Sequence, residues 1–281
     1  MMSSEVMRGG CPVMEAVEKP SDTMGKGVPA VICSECITMR PEEMAKRVDA
    51  FLRAHVDEEF GAGQRRFFRE EVETYGVRTA DVKELVKEVA REVKGWPAEQ
   101  RDALMERLWK TEKLEPGVVV CHVYRRFAKR CGAREFELFE RWIGRYVKNW
   151  AHADGVASWL VAACLENEPE LRFRLVEWAG SGNRWMRRCA AVGLLQEAKA
   201  GRHTEFVLEQ AGRLLKDRDD MVEKGVGWML KEAYPARPRE VVAFLLKRGG
   251  EASRTTLRYA AEKMTEGDRA RVLGVGAEKA R

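Results

Sequence analysis

The chain has 281 residues, 45% hydrophobic and 34% charged, with 50 Lys+Arg against 45 Asp+Glu for a formal net charge of +5. That length allows one large domain or two small ones, and the apolar share builds a sizeable core and excludes a disordered chain. No apolar run of about 18 residues occurs, which excludes a transmembrane helix, and no basic segment leads into an apolar one at the start, so no secretory signal is expected.

Residues 1–40 read differently from the rest. Gly9, Gly10, Pro12, Pro20, Gly25, Gly27 and Pro29 interrupt them, and no hydrophobic period is sustained. They are expected to form a mobile N-terminal tail, with a single helical-repeat domain over 41–281. Cys33 and Cys36 form a CxxC in that tail. Zinc wants about four ligands, and no second CxxC or His pair completes the set. A redox role would need a βαβ context, which is absent, so a chance pair is favoured. The 7 cysteines are scattered rather than framed for disulfides, which suits a reducing cytoplasm.

From residue 41 onward the pattern is helical. Pro41-Glu42-Glu43 is a helix start, with Pro first and acids in the first turn. Thr79-Ala80-Asp81 opens another helix, whose Val82, Leu85, Val86, Val89, Ala90 and Val93 make one apolar stripe. Pro97 starts a third helix. Further segments follow near 117–130, 134–148, 155–166, 169–179, 183–198, 204–215, 219–232, 239–248 and 252–264, with Gly, Pro or Asp at nearly every junction. No alternation is long enough to propose a sheet. Helices of about 10–16 residues on short connections imply stacked hairpins, so the expected fold is all-α, a curved superhelical solenoid of HEAT-like repeats.

Residues 121–154 hold eight Lys/Arg (Arg125, Arg126, Lys129, Arg130, Arg134, Arg141, Arg145, Lys148) and four Asp/Glu. Such a stripe suits a polyanion such as nucleic acid, and equally a solvated helix face. His55, His122, His152 and His203 have no metal-binding spacing, so no metal and no cofactor are expected. An exposed position is expected for His152.

Four stretches together resemble the AlkD-like DNA alkylation repair family of HEAT-repeat DNA glycosylases. They are Tyr75-Gly76-Val77-Arg78-Thr79-Ala80-Asp81, then Asn149-Trp150-Ala151-His152-Ala153-Asp154, then Asn183-Arg184-Trp185-Met186-Arg187-Arg188-Cys189, then Lys224-Gly225-Val226-Gly227-Trp228. The resemblance runs over roughly residues 43–273 and leaves the tail uncovered. It implies hydrolysis of the N-glycosidic bond of cationic N3- or N7-alkylated purines in duplex DNA. The family's functional positions fall on Trp150, Asp154, Arg188 and Trp228. A family Tyr ahead of the Tyr-Gly junction falls on Phe67, so its hydroxyl is lost.

The residue types suit that chemistry. A cationic base is already a good leaving group, so what remains is to stabilise oxocarbenium-like charge and place a water, which a carboxylate does. Asp154 is the candidate; its competing reading is a helix N-cap. Trp150 and Trp228 offer indole faces to a cationic base, against the ordinary reading of core packing. Trp96, Trp109, Trp142, Trp159 and Trp178 are assigned to core or edge packing. Arg184, Arg187 and Arg188 share one helical face and are expected on phosphates, with Lys148 near the site. The resulting expectation is a monomeric alkylpurine glycosylase. Its partner is double-stranded DNA containing alkylated bases, it touches no membrane, and it is cytoplasmic and nucleoid-associated when bound. The alternative is a non-catalytic helical-repeat scaffold for DNA or protein.

Overall fold

A computed structural model describes residues 39–275. All of the expected tail except Met39 and Arg40 lies outside the described residues, and the Cys33/Cys36 pair with it. The described residues belong to one compact unit, and among them no strand forms; Val56 and Val77 make an isolated antiparallel bridge. The fold is an all-α helical-repeat solenoid.

The first five helices are α1 (Pro41–Ala54), α2 (Glu58–Arg65), α3 (Thr79–Glu92), α4 (Ala98–Trp109) and α5 (Leu114–Tyr124). Next come α6 (Ala133–Arg145), α7 (Trp150–Gly155), α8 (Ala162–Asn167), α9 (Arg174–Ala179), α10 (Arg184–Val192), α11 (Leu195–Ala200) and α12 (Thr204–Leu214). The last four are α13 (Asp220–Ala233), α14 (Pro238–Arg248), α15 (Arg254–Ala260) and α16 (Glu266–Val275). Packing is between near neighbours in the chain: α1 on α4, α3 on α5, α5 on α7, α10 on α13, α13 on α15. The stripe expected on α3 is the buried face, with Val82, Leu85, Val86 and Val89 inside. Trp96, Trp109, Trp142 and Trp178 are core residues, as the sequence reading expects.

Two glycines let α13 sit tightly between its neighbours. A Cβ on Gly225 would lie 3.3 Å from Arg188 Cγ on α10, and one on Gly227 would lie 2.5 Å from Tyr259 Cβ on α15. These small residues are spacers, not a phosphate loop.

The expected helix over 155–166 begins earlier, at Trp150. Asn149 is its N-cap, accepting from the His152 amide at 2.9 Å. Between α7 and α8 the backbone continues as a π-helical turn, Val156–Val161. Turns of this kind recur beside functional sites.

His152 is not exposed: it is 2% accessible and packs edge-on to Trp109 at 5.0 Å. Its Nε2–H donates to the Leu114 carbonyl at 3.0 Å, and Nδ1 accepts from Asn149 Nδ2 at 3.1 Å. One ring thus ties the start of α7 to the start of α5. Burial pushes its pKa from 6.5 down to about 4. The unfolded chain therefore takes up this proton more readily than the folded one, so the contribution to stability is fully present above pH 6.5 and is lost as pH falls toward 4. Over that window the loss is about 3 kcal/mol. Urea unfolding at a series of pH values should show the fall, and His152→Gln should flatten it by one proton. An unchanged slope in the variant would show that other groups carry the acid sensitivity.

Candidate functional site

Three helices with Asx caps carry the expected site residues. Asn149 caps α7, Asn183 accepts from the Trp185 amide at 2.9 Å to cap α10, and Asp219 accepts from the Met221 amide at 3.0 Å to cap α13. Capping by a short polar side chain satisfies an amide that the first turn leaves free. Each start is thereby fixed, and with it the position of Trp150, Arg188 and Trp228.

Asp154 is therefore no N-cap; it lies one turn inside α7, and that reading is corrected. Both its carboxylate oxygens accept from Arg188, Oδ1 from Nε and Oδ2 from Nη2, each at 2.8 Å. Arg188 Nη1 donates to the Met221 carbonyl. The guanidinium is 7% accessible and the carboxylate 16%. Burial pushes the Asp154 carboxyl above its ordinary range, and the Arg188 hydrogen bonds and charge pull it back. For Arg188, burial acts to lower the pKa, and the bonds and charge of Asp154 outweigh it. The pair has the bidentate geometry of a charge-assisted Arg–carboxylate contact.

Trp150, Asp154 and Trp228 line two adjoining cavities of about 550 Å³ each. The structure brings together these three residues named in the sequence reading. That reading misses Trp159, assigned to packing but half-buried and lining the first cavity with them. It also misses Phe68, whose ring stacks on Trp150 with centroids 5.2 Å apart. Phe67, the expected aromatic, is 77% exposed. Its side chain lines the second cavity, and its carbonyl accepts from Trp150 Nε1 at 3.3 Å. One face and the N–H of Trp150 are thus already engaged by this loop.

The loop is held in turn by a residue with no sequence signature. Glu115, 2% accessible at the start of α5, accepts from Thr74 Oγ1 at 2.6 Å and from the amides of Tyr75, Gly76 and Val77 at 3.0, 2.8 and 3.1 Å. Gly76 takes a φ of +78°, and a Cβ there would meet the Asp57 carbonyl at 2.8 Å, so only glycine fits the Tyr-Gly junction.

The four expected phosphate contacts are all engaged elsewhere. Arg184 meets Glu70 at 3.1 Å, Asp219 at 2.8 Å and Asp220 at 3.2 Å. Arg187 meets Asp217 at 2.6 Å, Lys148 meets Glu112 at 2.6 Å, and Arg188 is buried on Asp154. Spacing put three arginines on one face; it could not show that acids from other helices and loops sit opposite them. Trp185 is buried, with the Arg184 guanidinium 4.9 Å from its ring. Among the described residues no group of three or more His, Cys, Asp or Glu is placed to hold a metal.

A family model described as DNA alkylation repair enzyme matches residues 48–264, most of the chain. A solved structure, a predicted DNA alkylation repair enzyme from Enterococcus faecalis, superposes with a TM-score of 0.68 at 15% identity, covering 75% of this chain and 98% of that one. Among curated proteins nothing matches. With the family model covering the three helices that carry the site, the chain belongs to the DNA alkylation repair enzyme family.

The buried pair makes a stability prediction. Removing one partner of a buried ion pair leaves an uncompensated charge and costs about 3–5 kcal/mol, whereas replacing both by apolar residues costs far less. Asp154→Leu and Arg188→Met should each lower the urea midpoint strongly, and the double variant should recover much of the loss. Additive losses in the double variant would show that the two do not act as a pair.

Proposed function

We propose that this member of the family is a monofunctional glycosylase that hydrolyses the N-glycosidic bond of cationic N3- or N7-alkylated purines in duplex DNA. The observation that carries the reading is a carboxylate, Asp154, fixed by a buried Arg188 at the junction of two cavities that two tryptophans also line.

In this reading the bond from C1′ to the purine nitrogen breaks, and its electron pair neutralises the charge on the base, which leaves without protonation. Positive charge develops on the sugar. Asp154 stabilises it and orients a water, whose oxygen bonds to C1′ while its proton passes through the carboxylate to solvent. The products are a free base and an abasic sugar. Arg188 is a positioning residue: its two bonds hold both Asp154 oxygens in place and leave each oxygen a second lone pair. Trp228 and the uncovered face of Trp150 attract the cationic base, at about 0.5–2 kcal/mol each. Phe67 and Phe68 supply the wall behind Trp150. A neutral lesion gains none of that attraction and is a poor leaving group where no acid stands ready.

Single-turnover assays on duplex DNA should show release of 7-methylguanine and no release of uracil. Asp154→Asn, assayed below its own melting transition, should lose about 100-fold or more. The excision rate should also fall in acid as Asp154 protonates. Because burial raises its pKa, that limb should lie above the ordinary carboxylate range. Wild-type rates in Asp154→Asn, or efficient uracil release, would overturn the glycosylase and leave a DNA-binding scaffold.

A further inference from the structure

The arginines expected on DNA are occupied by acids, but a second set of cations is not. Lys83 on α3, Arg125 and Arg126 just past α5, and Lys199 near the end of α11 are all exposed, and none has an acidic partner among the described residues. Arg125 and Arg126 follow His122 by three and four residues, Lys83 lies on α3, which packs on α5, and His122 lines the first cavity beside Trp159. Burial, then the charges of Arg125, Lys83 and Arg126, hold this imidazole below its ordinary pKa, with no carboxylate to offset them. The His122 and Trp159 rings lie 4.6 Å apart. The Arg125 guanidinium lies 4.9 Å from the centroid of the same indole. Lys199 lines that cavity from α11.

Most other cations around the site are paired, Arg66 of the second cavity being exposed without an acidic partner among the described residues. Arg69, Lys224 and Lys231 in the second cavity each have a carboxylate, as do Arg184, Arg187 and Arg188. Like charges gathered without counterions repel, and a polyanion relieves that repulsion. A guanidinium stacked on an indole keeps its in-plane N–H groups free for phosphate oxygens. We propose that Lys83, Arg125, Arg126 and Lys199, arranged around Trp159, hold consecutive phosphates of a duplex DNA backbone. The inference rests on the reading of DNA as substrate and assigns the backbone contact to a different edge of the site. The two cavities meet at Asp154, and the cationic cluster lies on the side of the first. The backbone then passes along α3, α5 and α11 while the reacting sugar faces Asp154.

The test is fluorescence anisotropy of an undamaged, labelled duplex at a series of salt concentrations. The logarithm of affinity should fall with the logarithm of salt by about 0.9 per neutralised phosphate. The triple variant Lys83→Gln/Arg125→Gln/Arg126→Gln replaces exposed side chains, and a melting curve will verify that it folds. Its slope should be shallower by about two to three units. Lys199→Gln should remove a little under one more. A triple variant that keeps the wild-type slope overturns the cluster, whatever its excision activity. Wild-type protein whose binding ignores salt overturns both the cluster and the DNA reading. A slope that falls as expected, with no release of 7-methylguanine by the wild type, supports the cluster and counts against the glycosylase alone.

Discussion

Arg188 reaches from α10 to both oxygens of Asp154 on α7, and its remaining nitrogen goes to the Met221 carbonyl at the start of α13. Three helices that are distant in the chain are thereby tied to one guanidinium, and the tie is buried. Neither charge is tolerable in that setting alone, because desolvation of a single ion costs more than any one hydrogen bond returns. The pair therefore constrains its surroundings. Gly225 must be small so that α13 can approach Arg188, and Asn149 must start α7 where Asp154 points back toward α10. The catalytic proposal inherits its geometry from this constraint. A carboxylate on a loose side chain would be hydrated and mobile; this one is oriented before any substrate arrives.

A second set of interactions closes the other wall. Glu115 gathers three successive amides and a hydroxyl from the segment between α2 and α3, which a loop could otherwise satisfy only with water. That segment then delivers Phe68 onto Trp150 and Glu70 onto Arg184. Arg69 adds a contact to Asp220 at 2.5 Å. The wall is thus anchored on α5 behind it and on α10 and α13 across from it. The tyrosine hydroxyl missing at Phe67 is not what engages Trp150. That side chain is exposed, and the contact with Trp150 comes from the Phe67 carbonyl and the neighbouring ring.

Much of this was legible in the residues. Periodicity located most of the helices and the buried stripe of α3, but it began the helix after Asp154 rather than at Trp150. What was not legible depends on contacts across the chain. Asn149 and Asp154 are both capping residues by type, and only the observed start of α7 separates them. His152 looked polar and surface-bound, yet its two nitrogens find Leu114 and Asn149 in the interior. Trp159 packs at the edge of the core, as one of its two expected placements has it, and its place in the cavity lining gave no sequence signal. Glu115 carried no signal at all, since a buried glutamate in a first helical turn reads as an ordinary dipole-favoured acid. The arginines of α10 lie on the expected helix, but charge along one helix says nothing of Glu70, Asp217, Asp219 and Asp220 facing it.

That pairing bears on a requirement of the proposed chemistry. A site for a cationic base gains from negative or neutral surroundings, while the phosphates on either side of that base need positive ones. Free arginines beside Asp154 would serve the second need and defeat the first, because each would repel the lesion across a few ångströms of low dielectric. Pairing each of them with an acid makes the neighbourhood of Asp154 locally neutral. The cations without acids are better placed in solvent, where screening weakens their repulsion of the lesion. Lys83, Arg125, Arg126 and Lys199 satisfy that condition: they are exposed, on α3, past α5 and on α11, while Asp154 is enclosed among α7, α10 and α13. The proposed division of labour rests on electrostatics, with neutralised arginines shaping the floor of the site and solvated cations left for the strand at its rim.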